Sequence, residues 1–598
     1  MVVGMLVANE GWQVVNGSLE HVVEQEEKHT ALKGMGNPTA RQRHVLTEMV
    51  KPLLGMFKSC DLNSYSGTIL GQLTGRGRPY SGDEMAHFLS SGVAVGWGEK
   101  LTADVTCWAT QVWADNTQVE GTTAHVYWDW HVKAVYSDYH IPRTKHGTSD
   151  RIVGARKQLM LHDEAGHLLF LKTYRGDTHL INGMIDGATY YEGLEESRRL
   201  TNQIFDREGL SVVYFKELLG DDEHERQFIT CLKSNQYDDL NSFESCSSFE
   251  PYRYDKHGKP IQEIAEGKYK MPDRRKGEDA LDLRVVLLRR PADETKEEAE
   301  DDEEEAHLFA IITSNWDTPA AEIADRYRAR QPRQENGIRD WWVTLGGDVN
   351  VGYDKRQVEN SELAAQKEKV ETRLERLERY IPSCEVRLAR ARQRHQRHLE
   401  RYQAGWQAAL ETIDKGIQQR GTDGVDALTI HRWAQAEEDR LREQLTPLRA
   451  PMETAAVEVE QEEEKLARYH AEQEEKKHVL AKVTQRMTDH PMYELDDRKD
   501  QLVSALRLCL VNILQLLRDT VFPESYAQAT YKTLAPFIQM GGFVIEHADH
   551  IEIFFDGFWQ SAKQRDLAEV VARCNAQQFA APDGRFLKFA ICSSPGHI

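Results

Sequence analysis

The chain has 598 residues, enough for about three to five domains, and its 40% apolar and 29% charged residues fit a soluble globular protein with charge-rich helices. A formal net charge of −22 sets up a global field that repels nucleic acid, so any nucleic-acid site needs a local basic surface. The eight cysteines are scattered and no CxxC pair occurs, which excludes a disulfide framework or a cysteine-zinc site and reads as reduced thiols in the cytoplasm.

The N-terminal run MVVGMLVANEGWQVV lacks a basic region and meets Glu10 early, so no signal peptide is expected. From 39 to about 114 the apolar spacing is helical. Ser81-Gly82-Asp83-Glu84 has the spacing of a capping box, and Leu101, Val105, Trp108 and Val112 form one stripe. Short helices joined by glycine turns fit either a helix-turn-helix or a plain helical subdomain. Between 122 and about 216 the pattern turns to strands (TTAHVYWDWHVKAVY, KQLMLHDEAGHLLFLKTY, RLTNQIFD), with Gly166 at a hairpin turn. A short helix follows Ser211. Residues 220–290 mix strand-like runs with polar turns, and 292–306 is an acidic run read as a solvated, disordered loop. HLFAIITSNW (307–316) reads as a buried strand leading into the helix PAAEIADRYRARQPRQENGIRDWW, which Pro332 should kink. Leu363, Val370, Leu374, Leu377 and Ile381 step by 7, 4, 3 and 4, a heptad seam that predicts a helical hairpin turning near QQRGTDGVDA. An apolar helix (500–518) and an α+β unit end the chain. The longest apolar run, Leu502 to Leu517, is broken by Ser504, Arg507 and Asn512, so no membrane span is expected.

Three carboxylates stand out. In YWDWH, alternation puts His125, Tyr127, Asp129, His131 and Lys133 on one face of the strand and Trp128 and Trp130 on the other. A carboxylate in a sheet needs a partner or a metal; the plain alternative is a backbone hydrogen bond or a pair with Lys133. Asp206, in QIFDREGLS, ends a strand, where the crevice of an open α/β sheet lies; the plain alternative is a turn residue. Glu335 lies on the helix after 307–316, with Arg328 and Arg339 near its face if the helix is regular, which also fits a surface ion pair.

A strand Asp, a second Asp 77 residues on (129 to 206) and a distant helical Glu follow the layout of the RNase H-like, retroviral-integrase-like fold. The chain resembles the DDE transposases of bacterial insertion sequences that carry a β-rich insertion before the Glu. YWDWH is similar to their first-Asp strand, usually D-G-H, IFDREGLS to their D-R-E-G motif, and SNWDTPAAEIADRYRARQPRQEN to their Tyr-Arg-Glu helix. The likeness covers about 70–350 and weakens beyond. Three departures are visible. Trp130 stands where Gly is usual. Tyr327 and Arg330 lie eight and five residues before Glu335 instead of seven and four, as if one residue were extra near Pro332. Trp342 replaces a Lys, with Arg339 as a substitute basic group.

The resemblance implies an α/β RNase H-like core, a mixed sheet flanked by helices (115–219 and 307–352), interrupted by a β-rich insertion (220–306). An N-terminal helical region (1–114), a coiled-coil hairpin (353–490) and a C-terminal α+β unit (491–598) complete it. It also implies two Mg²⁺ or Mn²⁺ ions held by Asp129, Asp206 and Glu335, cleavage at the ends of a mobile element and 3′-OH strand transfer. Double-stranded DNA and a second copy in a synaptic dimer would be the partners. His131 would orient Asp129 or touch the scissile phosphate, unless it is a satisfied strand histidine; Tyr327, Arg328, Arg330 and Arg339 would approach the DNA end. Arg387, Arg390, Arg394, Arg397 and Arg401 step by 3, 4, 3 and 4 along one helix face, which fits a phosphate-tracking stripe or a solvated coiled-coil face. Arg274 to Lys276, Lys268 and Lys270 are further basic candidates. A nuclease without strand transfer and a non-catalytic coiled-coil scaffold are the other readings of the chain.

Overall fold

A computed structural model describes residues 1–65, 70–71, 74–117, 125–147, 151–195, 198–220, 226–273, 275, 278–291 and 308–592. The acidic run 292–306, and Arg274 and Lys276 of the basic cluster, lie outside the described residues. Helices α1 (Val2–Ala8), α2 (Gly11–Gln25), α3 (Pro38–Val50), α4 (Gly82–Ala94) and α5 (Trp97–Thr117) open the chain. The cap of α4 forms as its sequence asks: Ser81 Oγ accepts from the Glu84 N–H and the Glu84 carboxylate accepts from the Ser81 N–H.

The strand around Asp129 is β1 (His125–Ala134), followed by β2 (Arg143–His146), β3 (Arg151–His162) and β4 (Leu168–Arg175). β3 lies antiparallel to β1, β2 and β4. Gly166, at φ +93°, makes the β3–β4 turn. On its other edge β1 runs parallel to β5 (Asn202–Phe205), and β5 parallel to β6 (Gln227–Cys231). The helices α6 (Leu180–Gly193) and α7 (Val212–Leu219) connect β4 to β5 and β5 to β6. Their apolar sides bury Trp128, Leu159, Phe170, Met184, Phe205 and Phe215 in one core. α8 (Ala320–Arg330) seals the opposite face over Tyr127, Ile204 and Ile311 with Ile323 and Tyr327.

The described strands of the inserted segment join the same sheet. Strands β7 (Glu250–Tyr254), β8 (Pro260–Met271) and β9 (Leu281–Arg289) are a meander that pairs through β10 (Phe309–Thr313) onto β6, giving one ten-stranded sheet. The reason is visible in β9: Leu283, Val285, Val286, Leu287 and Leu288 are buried on both faces, which an edge strand of an isolated meander would not allow.

Residues 1–356 and 493–598 form one compact unit, so the N-terminal helices and the C-terminal segment share a core with the sheet instead of standing apart. Helix α12 (Arg498–Val521) lies within that core. Residues 357–492 form the second unit, slightly offset from the expected 353–490. In it α9 (Ser361–Thr422) and α11 (Thr446–Asp489) flank α10 (Ala427–Gln444). Arg373 pairs with Glu472, Arg387 with Glu462 and Arg394 with Glu458; partners that descend as the first number rises mark an antiparallel hairpin. Leu363, Leu377 and Ile381 of the predicted seam are buried, and Val370 and Leu374 are half-buried.

The 24-residue helix α12 (Arg498–Val521) is long and apolar enough to cross a membrane, but 94% of its most apolar window is buried inside the protein. Several of its polar residues are matched, while Gln515 Oε1 and Arg507 Nε have no partner among the described residues. Ser504 Oγ accepts from Gln158 Nε2, Arg507 donates to the carbonyls of Gly346 and Phe57, and Asn512 bridges Trp113 and the Leu168 carbonyl. The chain ends in a three-stranded sheet of β11 (Gly542–Glu546), β12 (His550–Phe555) and β13 (Phe586–Ile591), with β11 antiparallel and β13 parallel to β12. All eight cysteines are free thiols.

Candidate active site

The two tryptophans beside Asp129 are accounted for by alternation. Trp128 is fully buried, meets Phe170 edge-on at 6.3 Å and donates its indole N–H to Gln203 Oε1 at 2.9 Å. Trp130 packs edge-on to Tyr174 at 5.5 Å and against Gly183 of α6, where a Cβ would stand 2.5 Å from the ring. Asp129 therefore projects from the other face of β1, toward α8. In the parallel ladder Trp128 is level with Phe205, so the next residues, Asp129 and Asp206, leave adjacent strands side by side.

Glu335 arrives from the third element. α8 does not break at Pro332; residues Gln331–Glu335 continue it as a π-helical turn. A π turn holds about one residue more than an α turn, so it accommodates one additional residue between Arg330 and Glu335. Arg330 and Glu335, five apart, then meet as i,i+4 neighbours would. The Arg330 guanidinium joins all three acids. Its Nη1 lies 3.3 Å from Asp129 Oδ2, and its Nη2 lies 2.9 Å from Glu335 Oε1 and 3.9 Å from Asp206 Oδ1.

Three carboxylates against one guanidinium leave two negative charges unneutralised. Asp129 is the least exposed of the three, at 21% against 36% for Asp206 and 41% for Glu335. Burial pushes its pKa up to about 7 against the pull of Arg330 and the Trp130 N–H, with Asp206 and Glu335 adding to the rise. A carboxylate whose folded-state value exceeds the ordinary 3.8 costs nothing at low pH and destabilises the fold increasingly as pH rises from about 4 to about 7. Asp129→Asn is thus expected to raise the melting temperature of the chelator-treated protein at pH 8 and leave it unchanged at pH 4. An equal gain at both pH values would contradict this assignment.

The donor set is made of hard oxygens, the class that suits Mg²⁺ and Mn²⁺. By donor chemistry the set suits a divalent ion, but in this structure the three carboxylates gather on the Arg330 guanidinium and do not bring one oxygen each close enough together to share an ion.

Other predicted residues fall differently. Arg328 turns away from Glu335 to Gln262 and the Tyr252 ring of the inserted strands. Arg339 is exposed and pairs with its neighbour Asp340 at 2.8 Å, and Trp342 is a core residue donating to Gln158. Tyr327 is 8% exposed; its hydroxyl donates to Cys231 Sγ at 2.9 Å, so it packs under α8 and is not presented to a DNA end. Arg330 alone of this group reaches the acids. His131 shares the face of Asp129; its Nε2 has no hydrogen-bond partner among the described residues, and burial holds its pKa down at about 3. Lys133 pairs with Asp500, not Asp129. In the hairpin, Arg387 and Arg394 are engaged by Glu462 and Glu458, whereas Arg390, Arg397 and Arg401 are exposed. Lys270 and Arg275 of the insertion pair with Glu244 and Asp273, and Lys268 lies over the Trp316 ring.

Gln334 was not singled out from the sequence. Its side chain is fully buried and its Nε2 donates to the Tyr127 carbonyl at 2.9 Å, tying the π turn to β1 two residues before Asp129. Its only sequence signal is its place beside Glu335 in QEN. Groups that orient metal-binding residues typically control activity by about 10- to 100-fold. Were the three acids to hold a divalent ion, Gln334→Ala would be expected to weaken Mn²⁺ binding by that factor; unchanged binding would show a merely structural role.

No protein-family model matches the chain, and no curated protein matches it. Among solved structures, the synaptic complex of piggyBac transposase with hairpin DNA is a weak structural neighbour, at 13% identity and a TM-score of 0.30, covering 57% of this chain and 68% of that one.

Proposed function

We propose that the chain is a DNA transposase of the DDE type, on an RNase H-like core, with Asp129, Asp206 and Glu335 as its acids. The single observation that carries this reading is the convergence of three carboxylates, from β1, the end of β5 and the helix after β10, on one guanidinium. The sheet order β4-β3-β1-β5-β6, antiparallel on one side of β1 and parallel on the other, also supports it. In the proposed reaction water cleaves a phosphodiester at the end of a mobile element, and the freed 3′-OH attacks target DNA at the same site. Asp129, Asp206 and Glu335 would together hold the Mg²⁺ or Mn²⁺ ions. Such ions, when bound, activate the attacking oxygen and stabilise the leaving one.

The chain's own residues do the rest. Trp128 and Trp130 anchor β1 from behind, so that Asp129 stays fixed. Gln334 holds the π turn that carries Glu335. Arg330 neutralises part of the acid cluster in the free protein, and its planar fork is suited to a phosphate once the acids are otherwise engaged. Arg390, Arg397 and Arg401 offer the local positive surface that a chain of net charge −22 needs for DNA. A dimer bringing two element ends together and a cytoplasmic location belong to the same reading.

The test is to incubate the full chain with duplex DNA carrying the sequences that flank its own gene, with Mg²⁺ or with a chelator. Metal-dependent nicking followed by joining to a second duplex is the expected result. Nicking without joining would reassign it as a nuclease. Binding without cleavage would sink both readings and leave a coiled-coil scaffold.

A further inference from the structure

A second ligand cluster lies away from the acids, in the C-terminal sheet. GGFVIEHADHIEIFF (541–555) forms β11, a tight turn and β12. His550 and Glu552 are two apart on β12 and share a face. His547 closes the turn by donating its N–H to the His550 carbonyl at 2.9 Å, which stacks the two imidazoles at 4.2 Å. The Glu552 carboxylate lies against both rings, with Oε2 3.5 Å from His547 Nε2 and Oε1 3.4 Å from His550 Nε2. One ligand atom from each of the three residues falls within 4.8 Å of the others.

Two features point to a cation here. A tetrahedral ion with bonds of about 2.0–2.1 Å places neighbouring donors about 3.3–3.4 Å apart, close to the 3.4 Å between His550 Nε2 and Glu552 Oε1, with His547 Nε2 at 3.5 Å from the other oxygen. His550 Nδ1 also lies 2.8 Å from Asp549 Oδ1. With Nδ1 engaged by Asp549, Nε2 is the ring atom left facing Glu552 Oε1 at 3.4 Å, where a cation would be held by both. A carboxylate behind a histidine is the usual way such a ligand is oriented.

We propose that His547, His550 and Glu552 bind one zinc-class divalent ion, with Asp549 orienting His550 and a water free to take the fourth position. Imidazole donors select zinc-class ions over Mg²⁺, so this site differs in kind from the acid cluster. Its six-residue span (547–552) crosses the β11–β12 turn, so the ion would pin the register of that hairpin.

The test uses the full-length chain, stripped with chelator and titrated with Zn²⁺ by calorimetry and with Co²⁺ by visible absorption, both in excess Mg²⁺. About one equivalent is expected, with a tetrahedral Co²⁺ spectrum. Asp549→Asn should weaken binding by about 10- to 100-fold, and His547→Ala and His550→Ala by at least as much, while Asp129→Ala leaves it unchanged. His547 is 41% exposed, so its removal should spare the fold, which circular dichroism would verify. No binding, or binding indifferent to both histidine variants, would overturn the proposal and leave an ion-pair network only.

Discussion

Under the proposed function, replacing Asp129 by alanine is expected to lower metal-dependent DNA cleavage by about 10³-fold or more, with the fold intact. Two-metal sites stabilise transition-state charge by several kcal/mol, and each 1.36 kcal/mol is a factor of about ten. Asp129 is the least exposed of the three acids, so its loss would remove the most deeply set of the proposed ligands. The fold should survive because Asp129 is an electrostatic liability in it: burial and two neighbouring carboxylates oppose its ionisation. The strand is held instead by Trp128, Tyr127 and the ladders to β3 and β5. The comparison is a plasmid-nicking time course beside a thermal melt. Near wild-type cleavage would remove Asp129 from the chemistry, and a collapsed melt would make it structural.

Asp500→Ala is expected to have the largest effect on stability, about 3–5 kcal/mol, out of a total that for most domains is only about 5–15 kcal/mol. Asp500 and Lys133 are both 0% exposed, with Lys133 Nζ 2.8 Å from Oδ1 and 2.9 Å from Oδ2. Arg156 lies 3.6 Å away, and the Val351 N–H donates to the same carboxylate. Alanine would strand a buried ammonium and an N–H donor. Replacing both partners by apolar residues, as in Lys133→Met with Asp500→Leu, should recover much of the loss, because a buried pair seldom outperforms good packing. Denaturant titration of the three proteins checks this. A single-variant loss below about 1 kcal/mol, the size of a surface pair, would show that Lys133 finds another partner.

Several elements were legible because their cause is local. The alternation in YWDWH assigns Asp129 and the tryptophans to opposite faces, Ser81 and Glu84 cap α4 reciprocally, and the seam Leu363 to Ile381 marks the long hairpin. α6 was not legible. LINGMIDGATYYEG holds three glycines, which weaken any helix; Gly183 and Gly187 are there because Trp130 and Leu159 leave no room for a Cβ. The inserted strands β7 and β8 were not separated from loops, because their solvent faces are polar and their pairing partners lie far along the chain.

The sequence by itself determined which acids stand on which local elements, and that the apolar run 502–517 is interrupted by polar residues. It did not determine who meets whom. The parallel register of β1 and β5 sets Asp129 beside Asp206, and the π turn at Pro332 brings Arg330, not Arg328 or Arg339, to Glu335. Asp500, 367 residues from Lys133, claims the cation that the sequence left open as a partner of Asp129. Local spacing follows from the chain's own dihedral preferences, whereas these meetings depend on long-range pairing and burial, where an unmatched charge is costly enough to select its partner.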